Sequence, residues 1–201
     1  FNLKELYRGT ILREGYPRNS IFFDQEHGRL LKEVLGYQGC QLSVYMPTFR
    51  GRTDDVEGDT YVEQVRSYLE VIDKGMQDDQ ILLLKLHPLV QKGLDLDNYR
   101  HIRPFPSELD TYDVLNACDV LITDYSSVMY DFANTGRKII LFASDLEDYM
   151  GHRGMYEDIR SYPFPIAVTP EEVLSELQEP GGGADREFLD KYCTFDRQKA
   201  T

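Results

Sequence analysis

Cysteine is scarce and scattered in this chain, and its absence from any pattern narrows the field early. Cys40, Cys118 and Cys193 are odd in number and far apart, with no Cys-x-x-Cys pair and no histidine at zinc-ligand spacing. That argues against a disulfide framework or a zinc site and leaves buried, reduced thiols of a cytoplasmic protein as the expectation. Basic charge is also short. Lys and Arg number 22 against 35 Asp and Glu, a formal net charge of -13, which argues against broad docking on nucleic acid or an anionic bilayer. No nucleic-acid partner is expected, and any anionic ligand must be held by a local site. No apolar run approaches about eighteen residues and no charged-then-apolar leader opens the chain, so neither a membrane span nor an export signal is expected. The chain begins at Phe1 without an initiator Met, as a piece of a longer protein would. Motifs are missing too. There is no G-x-G-x-x-G after a strand, no G-x-x-x-x-G-K-S/T, no G-x-S-x-G and no H-E-x-x-H, which disfavours dinucleotide oxidoreductases, P-loop enzymes, hydrolases and zincins. Neither a metal nor a cofactor is called for.

What is present suits a folded domain. With 201 residues, 41% hydrophobic and 28% charged, the chain can bury roughly 70% of the surface its unfolded form exposes. Residues 1–38 read as a linker and N-terminal remnant with one helix, GRLLKEVLG, preceded by the turn-rich GYPRNS. Residues 39–201 alternate strand and helix. Strands are predicted over 42–46, 81–86, DVLIT and KIILFA, with YRHIRPF as a short edge strand. Tyr61, Val62, Val65, Tyr68, Leu69 and Ile72 form one apolar stripe of a helix over 60–74. ELDTYDVLNAC predicts a helix with Leu109, Tyr112, Leu115 and Ala117 inward, and SSVMYDFANTG one that Gly136 ends. Thr169 can cap a helix beginning at Pro170, and the glycines at 181–183 read as a flexible joint. The strands are continuous apolar runs and not alternating ones, as a parallel sheet covered on both faces requires. The fold class is therefore α/β, a Rossmann-like doubly wound parallel sheet.

In such a sheet ligands bind beyond the carboxyl ends of the strands. PTFRGR (47–52), HP (87 and 88), DYSS (124–127) and SD (144 and 145) follow the four main strands, so the chemically capable residues gather at one end. Ser126 and Ser127 have two roles open to them. One of them can be an ordinary helix N-cap, or the pair and the N–H groups of the first helical turn can seat a phosphate. His87, fixed by Pro88 at the exit of its strand, can be a satisfied structural residue or a donor to a departing phosphate. Arg50 and Arg52 can grip an anion in a fork or remain solvated, and Thr48 lies nearest its strand end. Asp124 either orients its loop or binds a hydroxyl of a ribose or acceptor. Asp131, one turn beyond Ser127, can reach a ribose hydroxyl or face solvent.

Taken in order, GYPRNS, YMPTFRG, LLKLHPLV, the long run DVLITDYSSVMYDFANTGRKIILFASDLEDYMGHRGMYED and the closing FDRQKA resemble the CDP-glycerol glycerophosphotransferase family, the teichoic acid primases and polymerases. The resemblance implies a GT-B type enzyme of which this chain is the C-terminal, nucleotide-binding half. It implies transfer of glycerol phosphate from CDP-glycerol, or from a related cytidine nucleotide, to a hydroxyl of a lipid-linked acceptor, with release of CMP. By motif match His87 assists departure of CMP, and Ser126 and Ser127 hold the diphosphate. The remaining substrate contacts would come from Thr48, Arg50, Pro88, Asp124 and Asp131. A missing N-terminal half would supply the His-Gly-Thr-Pro motif, a candidate general base absent here, so the isolated chain is expected to bind donor without turnover. The full-length protein would lie in the cytoplasm, peripheral at the inner face of the membrane. Ser20 stands where the family has Asp after GYPRN, and PFPI at 163–166 lacks the usual Gly. Other readings remain: CDP-ribitol or CMP-sialic acid as donor, since His-Pro with a double serine is also similar to the bacterial sialyltransferase pattern, or a non-catalytic nucleotide-binding domain.

Overall fold

The computed structural model describes residues 14–48, 57–147 and 157–196. The chain enters through a 3-10 segment, Pro17–Phe23, and helix α1, Gln25–Val34, whose first N–H groups are capped by Asp24. It then alternates β1 (Gln41–Met46), α2 (Glu57–Gly75), β2 (Gln80–Leu84), α3 (Pro88–Gln91), β3 (Ile102–Pro104), α4 (Thr111–Ala117), β4 (Val120–Thr123), α5 (Val128–Ala133) and β5 (Lys138–Phe142). After residue 157 come β6 (Ile166–Ala167), α6 (Pro170–Gln178) and α7 (Arg186–Tyr192).

The strands form one six-stranded sheet in the order β3-β2-β1-β4-β5-β6, every pair parallel. This is the doubly wound arrangement expected of buried apolar strands separated by helices. Successive side chains of a strand point to opposite faces, and the core divides accordingly. Leu42, Val44, Leu83, Leu121, Ile139 and Leu141 face the layer holding α4, α5 and α7. Leu82, Leu84, Ile122, Ile140 and Phe142 face α2 and α6. The predicted stripe of α2 is where it should be, with Val65, Leu69 and Ile72 at 1% exposure or less. Thr169 caps α6 with a full capping box, Glu172 returning to the backbone of Thr169. Among the described residues no helix is long and apolar enough to cross a membrane.

Two expectations need correction, and one short strand left no signal in the sequence. Helix α4 starts at Thr111, capped by Asp110, so Val114 joins Leu115 and Ala117 in the core while Leu109 and Tyr112 are only partly buried. The two-residue strand β6 lies inside PFPIA, too short to carry a periodic signal. The glycines at 181–183 are no loose joint. Gly181 and Gly182 take φ of 85° and 88°, the Ile139 N–H donates to the Gly182 carbonyl at 3.0 Å, and a Cβ on Gly183 would collide with the Gly136 carbonyl. The segment is glycine because it is laid against the start of β5.

Residues 14–38 pack on the same body. Phe22 is buried in the core and α1 lies along α4, with Gly28 at the crossing. A Cβ there would run into the Asn116 carbonyl oxygen and sit 3.0 Å from its side-chain amide. Gly28→Ala, which in an open helix would stabilise by about 0.5–1 kcal/mol, is therefore expected to destabilise by about 1–3 kcal/mol. The midpoint of urea unfolding measures the sign.

Candidate functional site

The register of the parallel strands brings their carboxyl ends into line. Tyr45 sits beside Leu84 on one side and Ile122 on the other, Met46 beside Thr123, and Thr123 beside Leu141. The chain runs outward from β1 through β2 to β3, then crosses back to β4 on the other side. Loops after β1 and β4 consequently diverge into opposite layers and leave a crevice above their shared border. Thr48, His87, Asp124, Ser126 and Ser127 all leave from this edge, while Arg50 and Arg52 lie outside the described residues.

Asp124 spans the border. Its side chain is fully buried and accepts from the Thr48 N–H at 2.9 and 3.0 Å, from Thr48 Oγ1 at 2.7 Å and from the Tyr125 N–H at 2.7 Å. A buried carboxylate requires such donors, and here they tie the loop after β1 to the loop after β4. Thr123 adds a second stitch, its Oγ1 donating to the Met46 carbonyl at 2.6 Å. Of the two roles open to Asp124, orienting the loop is the one its partners perform. Tyr125, next along, donates to Asp145 at the exit of β5 at 3.1 Å.

The serines do little capping. Ser127 is the N-cap residue of α5, but in helical backbone geometry and without a side-chain cap bond, and Ser126 Oγ accepts from the Val128 N–H only at 3.5 Å. Ser127 is exposed and Ser126 partly so. Helix α5 has six residues, so the dipole behind the serines is that of less than two turns. The Met129 and Tyr130 N–H groups turn back to the carbonyls of Ser126 and Ser127. What the end of β4 offers is therefore chiefly two hydroxyls and the nearest amides. His87 and Pro88 are exposed past β2, where the His87 carbonyl accepts the Val90 N–H and Pro88 opens α3 as its first residue. The imidazole and the serine hydroxyls stand at one edge on either side of β1, their strands about 10 Å apart at about 4.8 Å per neighbour.

Asp131 is elsewhere engaged. It does not face solvent but is 5% exposed, and its carboxylate accepts from Arg18 Nε and Nη2 at 3.2–3.3 Å, Asn19 Nδ2 at 2.8 Å and the Tyr112 hydroxyl at 2.8 Å. The cause is the entry segment, which packs against α4 and lays Arg18 and Asn19 over Asp131. Asn19, completely buried, also donates to Asp196 at 2.9 Å, and Asp196 accepts the Tyr16 N–H at 2.7 Å and Asn134 Nδ2 at 3.2 Å. GYPRN, Asp131 and the late Phe195-Asp196 pair thus form one clasp, with Gly15 so close to Phe195 and Asp196 that a Cβ would collide. Sequence reasoning noticed these motifs without seeing that they touch. Burial and the bond to Asp131 push the Tyr112 hydroxyl up to about 12.

The family model for CDP-Glycerol:Poly(glycerophosphate) glycerophosphotransferase matches residues 2–201. The chain belongs to this family. Relatives include a teichoic acid poly(glycerol phosphate) polymerase of Bacillus spizizenii, 29% identical across 95% of this chain and 51% of its own length, and one of Staphylococcus epidermidis, 32% identical across 95% of this chain and 28% of its own. A teichoic acid poly(ribitol-phosphate) polymerase of Bacillus spizizenii is 30% identical across 85% of this chain and 28% of its own length. Among solved structures the wall teichoic acid polymerase TagF superimposes with a TM-score of 0.74 at 29% identity, over 94% of this chain and 49% of that one. The chain therefore spans about half, or less, of the length of the relatives it matches.

The clasp yields two expectations. Asp131→Ala leaves one of the two Asn19 side-chain N–H donors and the Tyr112 hydroxyl without an acceptor, at about 1–3 kcal/mol for each unsatisfied donor, and should lower stability by about 3 kcal/mol in denaturant unfolding. The raised Tyr112 hydroxyl means that the folded state keeps a proton the unfolded chain gives up near 10.0. Its contribution is intact below pH 10 and is lost as pH climbs toward 12; Tyr112→Phe should flatten that part of the alkaline loss, read as unfolding midpoint against pH.

Proposed function

We propose that this chain is the donor-binding half of an enzyme that transfers glycerol phosphate from CDP-glycerol to a hydroxyl of a lipid-linked acceptor in the synthesis of teichoic acid or a related polymer. The observation that carries the reading is the pair of serine hydroxyls, scarcely used for capping, at the switch point of a sheet whose chain belongs to the glycerophosphotransferase family. TagF has been solved after soaking with CDPG, and that form aligns with this chain at 30% identity and a TM-score of 0.74, which supports a cytidine nucleotide as ligand.

In this reading the acceptor oxygen attacks the glycerol-bearing phosphorus. A phosphodiester bond forms, the bond from that phosphorus to the bridging oxygen breaks, and CMP leaves. Ser126 and Ser127 donate to the diphosphate, His87 offsets the charge that builds on the leaving phosphate, Thr48, held by Asp124, forms the opposite wall with Pro88, and Arg50 is a further candidate contact to the donor. The acceptor's proton passes to a base in the half outside this chain, so the chain alone binds donor without turning it over. The acceptor's lipid places the whole enzyme at the inner face of the membrane. A second reading replaces glycerol with ribitol, because a poly(ribitol-phosphate) polymerase is as similar to this chain as the glycerol enzymes are.

Calorimetric titration with CMP, CDP, CDP-glycerol, CDP-ribitol and UDP tests the proposal. Cytidine diphosphates should bind and UDP should bind more weakly, and Ser126→Ala/Ser127→Ala should weaken CDP by about 1–3 kcal/mol. Equal, negligible binding of all five would end the reading.

A further inference from the structure

Lys85 stands apart from the other partly buried cations of the described residues. Lys32 is paired with Asp119, and Arg66 with Glu63 and the Gly93 carbonyl. Lys138 meets Glu176 and two carbonyls, Arg137 the carbonyls of Asn116 and Cys118, and Arg103 those of Tyr99, Arg100 and Ile102. Lys85 has neither a carboxylate nor a carbonyl in contact among the described residues. Its ammonium lies 4.1 Å from the centre of the Phe105 ring. Asp110, engaged in capping α4, acts on it only through space.

Its position adds to this. Lys85 is the first residue past β2, its N–H donating to the Tyr45 carbonyl at 3.0 Å, and it precedes His87 by two. Strand alternation gives it the face of Leu83, and Phe105 beneath its ammonium belongs to the same core cluster as Val128 and Met129 of α5. Lys85 therefore leaves from the ligand edge of the sheet, two strands from Ser126 and Ser127, with its ammonium over Phe105 on the β3 side of β2. Partial burial pulls its pKa below the ordinary lysine value, with Asp110 pulling the other way. Removing a cation from water without a counter-charge is costly, and one contact with an aromatic face offsets it only in part. An anionic ligand group would supply the missing charge.

We propose that Lys85 is a further ligand-binding residue of this site, its ammonium pairing with the diphosphate of the nucleotide-linked donor. This rests on the donor-binding reading above and extends it, since nothing in that reading requires a lysine. The competing role is structural, with the aliphatic stem and ammonium merely covering Phe105.

The test is calorimetric titration of the 201-residue chain with CDP, ADP, inorganic pyrophosphate and cytidine, using wild type, Lys85→Met, Lys85→Arg and, as control, Lys74→Met, an exposed lysine in the last turn of α2. Methionine keeps the apolar stem and removes the charge. Lys85→Met is expected to weaken CDP and pyrophosphate about tenfold to a hundredfold, the range of a lost charge-assisted bond, to leave cytidine unchanged and to leave the unfolding temperature unchanged or raised. Lys85→Arg should retain most of the affinity. Wild type binding CDP while Lys85→Met binds it equally well would overturn this inference and leave the donor reading standing. ADP and pyrophosphate binding as well as CDP, all lost in Lys85→Met, would overturn the cytidine reading and support Lys85. Wild type binding none of the phosphates would overturn both, and a lower unfolding temperature with unchanged affinity would assign Lys85 to structure alone.

Discussion

The buried carboxylate of Asp124 is the interaction on which the ligand edge depends. A parallel sheet can align its strand ends by register alone, but the loops beyond them are free to diverge, and at a switch point they must. Asp124 closes that freedom by taking both donors of Thr48 across the border from β1. The cost of burying a carboxylate becomes a constraint, because the charge is tolerable only while the loop after β1 stays where its N–H and hydroxyl can reach. The serines follow within three residues, so their place at the rim is inherited from that constraint and not from the short helix they introduce.

A second pair of carboxylates does comparable work below the rim. Asp131 and Asp196 collect Arg18, Asn19, Tyr112, Asn134 and the Tyr16 backbone into one cluster around the buried Asn19. Asn19 is shared by both acids, so the entry segment, α5 and the last described residues are held together. Asp124 and Asp131 lie seven residues apart, and both are buried among donors of the chain itself, each securing a segment that carries or flanks the candidate ligand groups.

What was legible in the sequence was local. Continuous apolar runs announced β1, β2, β4 and β5, and the stripe Val65, Leu69, Ile72 announced α2, because each signal is complete within one window. The gathering of Thr48, His87 and the serines at one edge followed from strand direction alone. The clasp was not legible, since Asn19 and Asp131 are 112 residues apart and Asn19 and Asp196 are 177 apart, and an aspartate one turn beyond a serine looks the same whether it faces solvent or an arginine. Lys85 escaped for a related reason: that its ammonium meets an aromatic ring and no carboxylate among the described residues is visible only in three dimensions. The glycines at 181–183 misled because composition suggests looseness where a close approach of two backbones demanded the absence of a side chain.

The borders of the sheet carry a consequence for solution behaviour. On one side β3 has three residues and ends in Pro104, while Arg103 occupies nearby carbonyls; on the other β6 has two. Neither offers a flat run of unpaired amides on which another polypeptide could build, and proline removes a donor where an intruding strand would need one. A sheet whose central strands are as apolar as VLIT and KIILF thereby keeps those sequences inside it, away from pairing at its two borders.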